Sequence, residues 1–217
     1  MNDEQIVLDF FSQEENLPLA LIAGEHIDAI RQRHNNAFWQ ALQQRLSDFI
    51  ARENLSWECA LTEDRNSEGS IVGLHIQPQR DQALFLRPFM EQQFMGGDYR
   101  IYCGLMWSNT PEPDRLRLPE INALRALLLE HNFKESDSFL AWVWTPWHPR
   151  RRDFLLRFAQ DREQLLDDAA GLLTLFLSDH GKALDAANAA LVQAPRSIAV
   201  PLEQLRASLK KGGSSNN

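Results

Sequence analysis

Lysine is scarce in this 217-residue chain: it occurs only at positions 134, 182, 210 and 211, leaving 18 arginines to carry the positive charge. Positive charge therefore rests on planar, forked donors suited to carboxylates and phosphates. Cysteine is rarer still. Cys59 and Cys103 lie in separate hydrophobic segments with no paired spacing, which suggests neither a disulfide framework nor a zinc site and predicts two buried, reduced thiols. No apolar run approaches the roughly 20 residues that span a bilayer. The first residues, Met1-Asn2-Asp3-Glu4, are acidic where a secretory signal is basic, so a cytoplasmic protein without membrane contact is expected. There is no Gly-x-Ser-x-Gly elbow, phosphate loop or dinucleotide fingerprint.

With 44% hydrophobic and 24% charged residues, the composition is that of a folded globular chain. The net charge of -8 argues against a general polyanion binder, yet it is unevenly placed. Residues 1–30 hold seven acids and no Lys or Arg, so the rest of the chain carries only -1.

Ile6, Val7, Phe10 and Phe11 recur at one-turn spacing and predict an amphipathic helix over 3–14 with an acidic outer face. A longer helix is expected from Pro18 to Glu53, bent near Gly24, with Phe38, Leu42, Leu46, Phe49 and Ile50 as its inner stripe. From Leu55 to Trp107 the period becomes alternating, and strands are expected at 57–61, 71–76, 83–89 and 99–107, with a turn at Gly96-Gly97. A helix from Leu116 to His131, a strand at 138–145 and helices at 162–176 and 182–193 follow, with Gly181 as a stop between the last two. Pro201 would open a last short helix, and 212–217 would fray.

The expected fold is α+β: an antiparallel sheet of four to five strands flanked by N-terminal and C-terminal helices. It forms one domain over 1–195, with a helical head at 1–53, the sheet and an inserted helix at 55–145, and helices at 161–193. The short helix and disordered tail occupy 196–217.

Three of the six tryptophans fall in Trp142-Val143-Trp144-Thr145-Pro146-Trp147. In a strand, Trp142 and Trp144 share a face and form either an apolar wall under a helix or, with the arginines that follow, a surface for bases and phosphates. The nucleic-acid reading rests on Trp147, His148, Arg150, Arg151, Arg152 and Arg157, opposed only by Asp153. His26 and His34 are eight apart, too far for a ligand pair, and belong at the surface or in caps. Glu14-Glu15 and Asp167-Asp168 are adjacent on helices and do not face each other. No metal, no cofactor and no catalytic residue is expected.

Several segments together resemble the C-terminal half of an uncharacterised bacterial branch of the PD-(D/E)XK nuclease superfamily. They are Glu15-Asn16-Leu17-Pro18-Leu19-Ala20, Phe38-Trp39-Gln40-Ala41-Leu42, Tyr102-Cys103-Gly104-Leu105, the Trp142 to Trp147 run with Pro146, and Asp161-Arg162-Glu163-Gln164-Leu165-Leu166. The likeness covers roughly residues 10–180. The superfamily's chemistry needs metal-binding acids and a Lys two residues beyond one of them. Here the residues two before the lysines are Asn132, His180, Ser208 and Leu209, and the one Pro-Asp pair, Pro113-Asp114, lies in a linker.

The resemblance therefore implies a non-catalytic, helix-flanked sheet domain that accompanies a nuclease in longer proteins, with a regulatory, targeting or assembly role against foreign DNA. The expected partner is a protein or a second copy of the chain, docked on Ile6, Val7, Phe10 and Phe11. The alternative is a nucleic acid held by the Trp/Arg segment. For residues 3–14 the competing expectation is that they fold back onto the body.

Overall fold

The structure, a computed structural model, describes residues 3–62, 66, 72–80 and 84–193. The elements run α1 (Asp3–Phe11), α2 (Leu17–Glu25), α3 (Ile27–Arg52), β1 (Trp57–Leu61), β2 (Val72–Pro78), β3 (Leu86–Met95), β4 (Asp98–Trp107), α4 (Pro119–Glu130), β5 (Phe139–Trp144), α5 (Arg152–Gln160), α6 (Arg162–Leu177) and α7 (Gly181–Gln193). The five strands form one open antiparallel sheet in sequence order, so the α+β expectation holds. The helix expected from Pro201 and the tail at 212–217 lie outside the described residues.

Local chemistry explains the boundaries. Pro18 and Pro119 sit in the first turns of α2 and α4, where a missing N–H leaves no helical bond unmade. α3 and α4 end alike: Asn54 (φ 51°) and Asn132 (φ 62°) take the left-handed conformation, and the next amides close the helix, Leu55 N to Ile50 O at 3.0 Å and Phe133 N to Leu128 O at 3.4 Å. The β3–β4 hairpin turns on Gly96 and Gly97, both at positive φ, the conformation a two-residue turn between right-twisted strands requires.

Several boundaries differ from the sequence reading: α1 ends at Phe11 and not at residue 14, and β3 runs Leu86–Met95 where the alternation predicts a strand at 83–89. The long helix breaks at His26, whose amide closes α2 on Ile22 O at 3.2 Å while the residue also precedes α3. Gly181 opens α7 instead of stopping α6. The Arg150 to Arg157 segment contains α5, because Phe154 and Phe158, one turn apart, bury against α3 and α6.

Helices cover one face of the sheet: α3 lies over β1 and β2, α6 over β3 and β4, α7 over β3, and α4 over β5. Their stripes meet the inward residues of the strands. Phe38, Leu42, Leu46 and Ile50 of α3 and Leu165, Leu166, Ala169 and Leu173 of α6 pack with Leu74, Ile76, Leu86, Met90, Ile101, Cys103 and Leu105. Buried polar groups pin the layers together. The Trp39 indole donates to Gln92 Oε1 at 2.8 Å, and the Asn188 amide exchanges two bonds with the Leu86 backbone at 2.7 and 3.0 Å, holding α7 to β3. Arg45 of α3 bridges Glu163 and Asp167, one turn apart on α6.

Candidate functional site

Beyond β5 the chain turns through Pro146 and Pro149, and the Trp/Arg segment divides. Trp147 is 8% exposed and belongs to the main core. His148 Nδ1 and Arg151 Nε both meet Asp98 Oδ2, at 2.7 and 2.5 Å. Arg150 Nη2 reaches Asp28 Oδ1 at 2.8 Å while its guanidinium lies 5.4 Å from the Tyr99 ring centre. Arg157 Nη2 pairs with Asp168 Oδ2 at 2.5 Å, and hydrogen bonds from Gln164 and Arg157 hold the Asp168 carboxyl below its ordinary range. Arg152 stands exposed at the start of α5. The structure thus brings Trp147, His148, Arg151 and Arg157 to one cleft of about 400 Å³, together with Asp153 and Phe154, while Arg150 and Arg152 do not line it.

The helical head presents the opposite chemistry. α1 packs on α2 and α2 on α3. Ile6, Val7, Leu8, Phe10 and Phe11 of α1, Leu17, Leu19, Leu21 and Ile22 of α2, and Ile27 and Ile30 of α3 are all between 37% and 62% exposed. These are eleven of the sixteen large apolar side chains exposed among the described residues, gathered into one stretch of about 25 residues. An apolar surface so concentrated marks an interaction site more often than chance exposure does. His26 lies exposed at the α2–α3 junction, and His34 is half-buried with its ring 6.2 Å from Phe158.

A third group escapes the sequence reading. On the sheet face opposite the helices, β-pairing sets His75 across from Phe89, Phe89 across from Gly104, and Gly104 across from Trp142. The adjacent row runs Gly73, Glu91, Tyr102, Trp144. Gly73 and Gly104 are required by space: a Cβ would stand 2.2 Å from Met90 O at the first and 1.9 Å from Ala141 O at the second. Glu91 accepts from His75 Nε2 at 3.0 Å and from the Tyr102 hydroxyl. Burial holds His75 below its usual pKa against the opposing pull of Glu91, and raises that of the Tyr102 phenol, so both stay neutral donors. Arg87, also on this face, is buried beside the cluster.

Around these polar groups stands an aromatic set. Phe89 stacks on Phe139 at 4.9 Å, Tyr102 meets Trp144 at 5.2 Å, and Trp142 meets Trp144 at 5.8 Å, edge to face. Arg100 lies 4.5 Å over Trp144 and Lys134 5.7 Å over Trp142. The Trp pair shares a face as expected, but it is half-buried and turned away from the helix-packed core, so it is not the apolar wall under a helix that the sequence also suggests: none of the described helices covers that face. The alternation Gly-Leu-His-Ile-Gln in β2 and Arg-Pro-Phe-Met-Glu in β3 signals this second face, but only the register joins its members.

Cys103 is fully buried and Cys59 half-buried, and burial pushes both thiols up to about 12, far from a nucleophile's range. No group of three or more His, Cys, Asp or Glu placed to hold a metal ion occurs among the described residues, and no helix among them is long and apolar enough to cross a membrane. No family model matches the chain, and no curated protein or solved structure matches it. The fold and surfaces define an α+β domain with an open meander sheet and an apolar, acidic helical head.

Proposed function

We propose that this chain is a non-catalytic interaction module whose helical head docks into an apolar groove rimmed by basic residues on another protein. The observation that carries this reading is the concentration of exposed apolar side chains on α1, α2 and the start of α3. Charge selects the partner: seven carboxylates and no Lys or Arg in residues 1–30 favour a basic rim and oppose close packing of two heads against each other. The resemblance to the accessory half of PD-(D/E)XK nucleases points to a nuclease half as that partner, in a system directed against foreign DNA.

The test is calorimetric titration of the chain with a purified nuclease half from a longer member of that branch. Binding that is lost in the Phe10→Asp, Leu21→Asp double variant supports the reading. Absence of binding, or self-association of the native chain that the same variant abolishes, replaces the proposed partner with none or with a second copy.

A second reading, nucleic-acid binding at the Trp/Arg segment, draws on the cleft that sets Arg151 and Arg157 beside Trp147. It has less behind it. Carboxylates of the chain already hold His148, Arg150, Arg151 and Arg157, and Trp147 is too buried to stack a base. Steep loss of DNA or RNA affinity with rising salt, reduced by Arg151→Ala and Arg157→Ala, would favour it.

A further inference from the structure

Glu91, His75 and Tyr102 satisfy one another, but the polar groups beside them are left over. The Arg87 side chain is 7% exposed, and among the described residues its Nε and Nη1 find no hydrogen-bond partner and no carboxylate lies within ion-pair distance of it. Burial lowers its pKa to about 10, with Glu91 pulling the other way, which leaves it protonated at neutral pH. Gln77 lies two positions beyond His75 on the same face of β2, is 0% exposed, and has no partner for either amide atom among the described residues. His75 gives its Nε2 hydrogen to Glu91, so Nδ1 is an acceptor, and it too has no partner among the described residues.

A buried guanidinium whose nitrogens lack hydrogen bonds, and which Glu91 offsets only in part, is unfavourable, and native interiors rarely leave such groups unmatched. Here three lie on one sheet face and are chemically complementary to a single kind of molecule. Arg87 offers forked N–H donors and a positive charge, Gln77 a donor and an acceptor, and His75 a fixed lone pair. Both donors to Glu91 are neutral and do not cancel a carboxylate charge, so the anionic group is placed at the Arg87 and Gln77 end of the face, four positions along β3 from Glu91. The face is least covered toward β5, where Phe139, Trp142 and Trp144 are half-buried.

We propose that this face of the sheet binds a small organic anion whose carboxylate or phosphate sits on Arg87 and Gln77 and whose hydroxyl or N–H donates to Nδ1 of His75. Glu91 and Tyr102 are positioning residues that fix the imidazole tautomer. This site is separate from the helical head, and either can fail without the other.

The full chain is titrated calorimetrically with inorganic phosphate, lactate and acetate, and the melting temperature of each variant is recorded without ligand. Saturable binding of phosphate or lactate is expected, and whichever binds tighter identifies the anionic group. Acetate, which lacks the donor for His75, should bind at least about tenfold more weakly than lactate. Arg87→Met should weaken binding at least about thirtyfold. The same change should raise the melting temperature of the free protein by about 4 °C, because it removes an unpaired buried charge. Gln77→Leu gives a second variant in which the charge is kept, with the same direction in both measurements. No saturable response to any of the three anions, or undiminished binding in both variants, overturns the proposal. A fall in melting temperature for both variants likewise overturns it, since the groups would then be part of a satisfied structural network.

Discussion

Arg150 donates from Nη2 to Asp28 Oδ1 at 2.8 Å, across 122 positions of sequence, and joins the base of the helical head to the segment before α5. One contact thereby engages a cation of the Trp/Arg segment and a carboxylate of the head. Asp28 is largely exposed and also meets Arg31 at 3.4 Å, so solvent screens the pair. A double-mutant cycle with Arg150→Ala and Asp28→Ala, read by urea unfolding, should give a coupling energy of about 1 kcal/mol or less. A coupling of several kcal/mol would mean that this pair holds the head in place.

Gly104 lies in the resemblance segment Tyr102-Cys103-Gly104-Leu105 and between Phe89 and Trp142 in the sheet. Its missing side chain lets β5 approach, with Ala141 O where a Cβ would be. Gly104→Ala should destabilise the fold by at least about 1–3 kcal/mol in chemical denaturation and shift the tryptophan emission, because relief requires backbone movement at Trp142. Unchanged stability would show that β4 and β5 are less closely joined.

His75 sets a pH dependence whose sign follows from its burial. Its folded pKa lies below the ordinary 6.5, chiefly through desolvation and with Arg87 adding to the effect, while Glu91 opposes it. The unfolded chain therefore takes up a proton as pH falls through about 6.5 and the native chain does not, so this contribution is complete above that pH and is lost below it. Unfolding free energy should drop between pH 6.5 and 5 by up to about 1.4 kcal/mol per unit more in the native chain than in His75→Gln. Equal slopes would place a charged imidazole in the fold.

The α3 stripe and the strand alternation were legible because both depend on local period alone: Phe38, Leu42, Leu46 and Ile50 are buried as their spacing requires. α5 was hidden by composition, since the arginines at 150, 151, 152 and 157 mask the one-turn spacing of Phe154 and Phe158. The buried polar face was hidden for a different reason. A polar residue at every second strand position ordinarily faces water, and only the pairing of β2 with β3 brings His75 to Glu91. For the head, the apolar ridge could be read from Ile6, Val7, Phe10 and Phe11, whereas whether the body covers it is a tertiary fact.

The account stands on that ridge being uncovered by the chain's own body, and the most direct measurement is the unfolding free energy of the Phe10→Asp, Leu21→Asp variant beside that of Phe38→Ala. Side chains exposed in the native state should be replaceable at no more than about 0.5 kcal/mol each, while truncating the fully buried Phe38 should cost about 3–5 kcal/mol. A head variant that unfolds as readily as Phe38→Ala would show that α1 and α2 pack into the body, and would contradict the docking role assigned to them.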